Sequence, residues 1–73
     1  MVGIIYSKEH KYIVKQLKKA RENAGLSQEQ VAKILNTTQS YISKIESGQR
    51  KIDVVQLKKL AKIYKRDISY FVR

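Results

Sequence analysis

The apolar residues of the chain recur at the spacing of α-helices, in segments separated by glycine or by small polar residues. In the first segment they stand at positions i, i+4, i+7 and i+11, which share one helical face: Ile13, Leu17, Ala20 and Ala24. Ser7 can cap this helix at its start, and Gly25 can end it in a left-handed conformation. The lysines on its other sides are interpreted as a solvated face rather than as phosphate contacts: Lys8, Lys11, Lys15, Lys18 and Lys19.

Two shorter amphipathic segments follow between Leu26 and Gly48. The first opens with a capping box, in which the Ser27 hydroxyl and the Gln30 side chain each satisfy a backbone donor. Its apolar positions are Val31, Ala32 and Leu35. The period is then broken by residues that offer a new cap: Asn36, Thr37 and Thr38. The pattern predicts two helices that meet at an angle.

The second of these helices, over residues 39–47, has two chemically different faces when it is drawn at 100° per residue. The face that must be buried carries Tyr41, Ile42 and Ile45. The opposite face is short-chained, polar and nearly uncharged: Gln39, Ser40, Ser43, Lys44 and Ser47. Amides and hydroxyls of this kind can read base edges, because glutamine pairs two-pronged with adenine and serine donates or accepts. A solvated face that happens to lack charge is the alternative interpretation.

Past Gly48, a basic connection ends at Asp53, which can cap a further helix. The apolar stripe of that helix follows i, i+3, i+4 and i+7: Leu57, Leu60, Ala61 and Tyr64. Asp67 is expected to cap a last short helix that carries Ile68, Tyr70, Phe71 and Val72. These terminal apolar residues fit intramolecular packing or a homodimer interface equally well. The apolar run from Met1 to Tyr6 either packs on the body or mediates association.

Composition narrows the classes of function that remain. Seventy-three residues make one domain with a single helical core. Sixteen Lys and Arg against six Asp and Glu give a formal charge of +10, so an anionic partner is expected, with nucleic acid first. Charge alone does not separate DNA from RNA or from an anionic membrane surface. The sequence contains no cysteine and no apolar run of about 20 residues, which predicts a soluble cytoplasmic protein without disulfides.

An enzyme is not expected from the residue types present. His10 is the only histidine and is interpreted as a solvated residue at a helix start. Asp53 and Asp67 are assigned to helix caps, and the chain has no acidic cluster beside its single histidine, so no acid-base pair, metal site or cofactor site is predicted. A membrane-surface role is also not expected, because the apolar helix faces are needed for the core.

Two stretches in unbroken register resemble the Xre/Cro-like helix-turn-helix family, the phage-repressor type of DNA-binding domain. They are Arg21-x-x-x-Gly25-Leu26-Ser27-Gln28-x-x-Val31-Ala32 and Thr38-x-x-x-Ile42-Ser43-x-Ile45-Glu46-x-Gly48-x-Arg50. The resemblance covers about Ile13 to Phe71. It implies an all-α, compact five-helix lambda-repressor-like fold, whose helix-turn-helix is formed by helices 2 and 3. The domain would occupy residues 8–73, after an N-terminal extension at 1–7.

The resemblance also implies roles for individual positions. Base-reading side chains would be Thr38, Gln39, Ser40, Ser43 and Lys44. Phosphate contacts would come from Gln28, Tyr41, Gln49, Arg50 and Lys51. Lys44 would reach either a guanine or a phosphate, and the Tyr41 ring would lie against the core. Ala32 would be small so that the two helices approach, and Arg21 would pair with Glu46 beneath them. The family usually has Gly at the position of Asn36 and often has Pro at the position of Ile52. Because this chain lacks that proline, the loop before the fourth helix is expected to be less rigid.

The leading functional hypothesis is therefore a sequence-specific double-stranded DNA-binding transcriptional regulator. Its recognition helix, residues 38–47, would enter the major groove, and a homodimer would bind a two-fold operator. The alternative is an antitoxin or adaptor that chiefly binds a protein partner and uses DNA binding for autoregulation. The apolar ends at Met1 to Tyr6 and Tyr70 to Val72 motivate that alternative.

Overall fold

The computed structural model describes residues 8–71, and within this range the fold consists of four α-helices and one 3-10 turn, with no strand. The helices are α1 (Lys8–Asn23), α2 (Gln28–Leu35), α3 (Gln39–Glu46) and α4 (Val54–Ile63), and the 3-10 turn is Ile68–Tyr70. The all-helical prediction is confirmed for these residues. The expectations for Met1 to Tyr6, for Ser7 and for Val72 lie outside them.

One apolar core joins all of these elements, and most of its members come from the predicted stripes. The buried apolar side chains are Leu17, Ala20, Val31, Ala32, Ile42, Ile45, Leu57, Leu60, Ala61, Tyr64 and Phe71. Ile13 and Leu35 are partly buried and pack against this cluster. Ala24 is exposed, so its place in the stripe of the first helix was wrong. It lies beyond the last residue of α1, where the chain already turns away from the core.

The predicted caps fix where three of the helices begin. Ser27 Oγ accepts from the Gln30 backbone N–H at 3.1 Å, and Gln30 Oε1 accepts from the Ser27 N–H at 2.8 Å, which completes the capping box. Asp53 accepts from the Gln56 N–H at 2.8 Å at the start of α4. Thr38 begins α3 in the same way and is described with the site below. Each such cap contributes about 1 kcal/mol.

All four α-helices end in the same geometry, with one residue in the left-handed region. These residues are Gly25, Asn36, Gly48 and Lys65, with φ of 74°, 59°, 82° and 58°. After each of them, the next backbone N–H bonds the carbonyl five residues back, as in a Schellman motif. Gly25 therefore ends α1 as predicted. Asn36 adopts the left-handed conformation in spite of its Cβ, because asparagine tolerates this region better than most residues.

The fifth α-helix is not confirmed, because the described residues form a single 3-10 turn, Ile68–Tyr70, at the position of the expected last short helix. Its backbone bonds span three residues: Tyr70 N–H to the Asp67 carbonyl and Phe71 N–H to the Ile68 carbonyl. The Asp67 side chain makes no cap bond and instead accepts from the Ser69 hydroxyl. The seven residues from Lys65 to Phe71 must leave α4 and place the fully buried Phe71 ring in the core, which leaves room for a single turn. For Phe71, intramolecular packing is the observed outcome.

Candidate nucleic-acid interface

Helices α2 and α3 pack against each other through a three-residue turn, which is the angular pair predicted from the sequence. Asn36 is left-handed, and the Thr37 N–H donates to the Ala32 carbonyl at 2.8 Å. Ala32 is only 4 % exposed, and a methyl group at this position lets the helices approach. The turn therefore fixes the direction in which α3 leaves α2.

The two faces of α3 differ as the helical wheel predicts. Ile42 and Ile45 are 2 % and 1 % exposed, whereas all five side chains proposed for base reading are exposed: Thr38, Gln39, Ser40, Ser43 and Lys44. Thr38 has a structural task as well, since its Oγ1 accepts from the Tyr41 N–H at 3.1 Å and caps the helix. Burial of the isoleucines thus turns a polar and nearly uncharged face towards solvent.

Arg21 and Glu46 form a bidentate ion pair beneath the two helices. Arg21 Nε donates to Glu46 Oε2 at 2.7 Å, and Arg21 Nη2 donates to Glu46 Oε1 at 3.1 Å. The side chains are 11 % and 5 % exposed. A third bond runs from Arg21 Nη1 to the Leu26 carbonyl at 2.8 Å. Hydrogen bonding to Glu46 raises the pKa of Arg21 above its ordinary value, so the guanidinium stays protonated at neutral pH.

The same carboxylate anchors a chain of amides that leads to the exposed face of α3. Gln28 Nε2 donates to Glu46 Oε1 at 3.1 Å, and Gln39 Nε2 donates to Gln28 Oε1 at 3.4 Å. Arg21, Glu46, Gln28 and Gln39 therefore form one polar chain across α1, α3 and α2, which we call the Arg21–Gln39 chain. Sequence reasoning missed the two amide bonds. Long polar side chains at the first residues of both α2 and α3 were the signal that would have suggested them.

The bonds within this chain leave donors and acceptors that a nucleic acid can use. A glutamine amide has two N–H donors and one carbonyl oxygen with two lone pairs. Gln39 uses one N–H donor in its bond to Gln28. Its other N–H and its carbonyl oxygen remain available for a two-pronged contact with adenine. Gln28 uses one N–H donor in its bond to Glu46, and its other N–H remains able to bind a phosphate at the N-terminus of α2.

The loop after α3 carries the other side chains proposed for phosphate binding. Gln49, Arg50 and Lys51 are all exposed. The Arg50 guanidinium lies over the Tyr41 ring, 4.7 Å from its centroid, while the ring itself packs partly against the core. The Gln49 N–H donates to the Lys44 carbonyl at 3.0 Å and is used within the fold. Phosphate contacts from Gln49 would therefore come from its side chain rather than its main chain.

A helix-turn-helix family model matches residues 17–71, which is more than half of the chain. The chain belongs to the Xre/Cro-like helix-turn-helix family. A comparison with curated proteins found no match. The family is one of DNA-binding regulatory domains, which are generally not enzymes.

Two further observations concern the Xre/Cro-like domain as a whole. Within residues 8–71, no helix has both the length and the apolar character that a membrane span requires.

His10 is 4 % exposed, so its interpretation as a solvated residue was wrong. It lies seven residues before Leu17, on the same face of α1, and lines a hollow beside Glu46 and Gly48. Extending the apolar stripe backwards from Leu17 by two helical turns would have placed it there.

Proposed function

We propose that this protein is a sequence-specific transcriptional regulator that places residues 38–47 in the major groove of double-stranded DNA. The observation that carries the proposal is the exposed, nearly uncharged face of α3, with Gln39 held by the Arg21–Gln39 chain. A side chain that is already oriented loses less conformational entropy when it binds a base. Gln39, Ser40 and Lys44 are proposed as the main base-reading residues, with Thr38 and Ser43 beside them.

Phosphate contacts are proposed on both sides of α3. Gln28 stands at the positive end of α2, where backbone N–H groups favour an anion. Gln49, Arg50 and Lys51 stand on the loop that follows α3, and the Arg50 guanidinium lies over the Tyr41 ring. The Tyr41 hydroxyl is proposed as a further phosphate contact. Together with the formal charge of +10, these groups would supply most of the affinity. The α3 face would supply the choice of sequence.

A homodimer on DNA is part of the proposal. The described Cα positions extend over 31 × 24 × 19 Å. Half-sites separated by one helical turn of DNA lie about 34 Å apart on one side of the duplex. Two copies that place one of their shorter axes along the duplex therefore fit next to each other on that side. The two-fold symmetry of such a pair would be matched by a two-fold operator.

Selection of bound duplexes from a random pool tests this function. The expected result is a two-fold symmetric sequence whose half-sites are centred about 10 base pairs apart. A pool that remains random after repeated rounds would contradict sequence-specific binding. Enrichment of an asymmetric site of a few base pairs would contradict the dimer but not the reading of bases.

The alternative function as an antitoxin or adaptor is not favoured. Two apolar segments of the sequence suggested it, and the first, from Met1 to Tyr6, lies outside the described residues. The other was the apolar segment from Tyr70 to Val72, in which Phe71 is fully buried and Tyr70 is partly buried against the core. These two residues serve the fold of the chain itself.

A further inference from the structure

The last turns of α2 and α4 expose an apolar surface that neither the core nor the proposed DNA contacts account for. Ile34 is 57 % exposed, and it lines two adjoining hollows together with the half-buried Ile63. We call these two hollows the α2–α4 groove. Its remaining apolar lining residues are Ala24, Leu26, Leu35 and Tyr64.

Isolated exposed isoleucines are common on protein surfaces, but this one belongs to a continuous apolar strip. The core takes Val31 and Ala32 from α2 and does not need Ile34. Ile34 also lies six residues beyond Gln28, about 9 Å further along the helix from the proposed phosphate contact. The groove therefore contains none of the residues proposed to touch DNA.

Charge around the groove indicates what it can bind. Lys65 lines the first hollow, and Lys59 and Lys62 line the second. Among the residues that the structure describes, no acidic side chain lines either hollow. A second copy of the chain would bring these lysines towards its own, so self-association through the groove is electrostatically unfavourable. A nucleic acid would satisfy the lysines but has no aliphatic side chains with which to fill the hollows.

We propose that the α2–α4 groove binds an acidic amphipathic helix of a protein partner. Apolar side chains at positions i, i+3 or i+4, and i+7 of that helix would enter the two hollows around Ile34 and Ile63. Its carboxylates would pair with Lys59, Lys62 and Lys65. This inference goes beyond the proposed DNA binding, and it gives the regulator a second surface that can be occupied while α3 is on DNA.

A synthetic helical peptide with leucines at that spacing and glutamates elsewhere is the probe, and a scrambled peptide of the same composition is its control. The affinity of each peptide for the full chain is measured by calorimetry. The binding site of the helical peptide is located from NMR shifts of the Ile34 and Ile63 methyl resonances. The variants are Ile34→Ser and the double variant Lys59→Glu/Lys62→Glu. The charge-matched control is Lys18→Glu/Lys19→Glu, because these exposed α1 lysines line neither hollow.

The proposal predicts that the Ile34 and Ile63 methyl resonances shift and that each groove variant binds the helical peptide about tenfold more weakly. The control variant and the scrambled peptide separate this from general attraction to a basic protein. Equal losses in both double variants, or equal affinity for both peptides, would overturn the proposal. So would self-association that Ile34→Ser abolishes, or displacement of the peptide by duplex DNA.

DNA binding is measured on the same variants, so that the two proposals fail separately. Ile34→Ser is expected to keep the wild-type affinity and sequence preference, since Ile34 is exposed and lies about 9 Å along α2 from the proposed phosphate contact at Gln28. Loss of peptide binding with intact DNA binding supports the groove. Absence of sequence preference in the wild-type protein would contradict the proposed function and leave the peptide result standing.

Discussion

Arg21 connects three helices through one guanidinium group. It bonds Glu46 at the end of α3 and the Leu26 carbonyl before α2 from its own position in α1. Its partner Glu46 in turn holds Gln28. At the scale of single residues, the orientation of the candidate DNA-binding face therefore depends on a pair of buried charges that need not touch DNA.

Replacing Arg21 is expected to destabilise the whole domain. Arg21→Ala leaves the Glu46 carboxylate buried without its main partner, at a cost of about 3 to 5 kcal/mol. Thermal denaturation should show a midpoint lower by about 10 °C or more, or no cooperative transition. Lys18→Ala, which removes an exposed charge from the same helix, is the control and should change the midpoint little. An Arg21→Ala midpoint equal to that of the wild type would contradict a structural role for the pair.

The two glutamines should differ in their effect on DNA binding. Gln39→Ala is expected to weaken binding to the selected operator by about 1 to 3 kcal/mol and binding to a scrambled duplex much less. Gln28→Ala should weaken both, because the proposed phosphate contact would be lost, and should also reduce discrimination, because Gln39 loses the hydrogen bond from its amide to Gln28. Affinity measurements on both duplexes test this, with Gln56→Ala on α4 as a control. The assignment would be refuted by a Gln28→Ala variant with wild-type affinities.

Tyr64 gives the stability a dependence on alkaline pH. Burial raises the pKa of its hydroxyl well above the ordinary value of 10.0, and the nearby Glu46 carboxylate adds to the effect. Below pH 10 both the folded and unfolded states keep the proton. Above it only the unfolded state loses the proton, so the free energy of unfolding falls as pH rises, by up to about 1.4 kcal/mol per pH unit.

Urea denaturation between about pH 8 and pH 11 measures this dependence. Tyr64→Phe keeps the buried ring and removes the hydroxyl, so its stability should decline less steeply above pH 10 than that of the wild type. Parallel curves for the two proteins would show that the Tyr64 hydroxyl ionises equally in both states.

At the scale of the elements, helix starts and ends follow from different chemical signals. The starts of α2 and α4 were predictable, because Ser27 and Asp53 have side chains that cap a helix and stand at the right distance from an apolar stripe. The left-handed end at Gly25 was predictable because glycine has no Cβ to disfavour a positive φ. The end of α4 at Lys65 was not, since lysine carries no signal for this conformation.

Substitutions at two of the helix ends should change the stability of the protein in opposite directions. Lys65→Gly should stabilise the protein by about 1 kcal/mol, because glycine has no Cβ to disfavour a φ of 58°. Gly25→Ala should destabilise it by about the same amount. The added methyl group would meet nothing within 4 Å, so the cost would come from the backbone alone. Chemical denaturation of the two variants checks both signs. Two changes of the same sign would contradict this account of the caps.

At the scale of the whole molecule, periodicity and caps predicted all four α-helices and nearly all of the core. They did not predict the path of the chain between Lys65 and Phe71, because that path is set by the packing of the buried Phe71 ring in the core rather than by a local pattern. Likewise, the exposed side chains of α3 could be named from the sequence. The bonds from Glu46 through Gln28 to Gln39 could not, because they depend on how three helices pack.

The charge of the whole molecule should make binding strongly dependent on salt, whereas the α3 face should make it dependent on sequence. The two contributions separate experimentally because counterion release depends on the number of phosphates contacted rather than on the bases. A preference for one sequence at every salt concentration would therefore have to come from α3 or from the shape of the duplex.

The most direct test is a titration of the wild-type protein on the selected operator and on a scrambled duplex, over a series of salt concentrations. If α3 reads bases in the major groove, the operator should be bound at least about a thousandfold more tightly at physiological salt. Both affinities should fall with added salt. Equal affinities for the two duplexes at all salt concentrations would contradict the account and reduce the protein to a general polyanion binder.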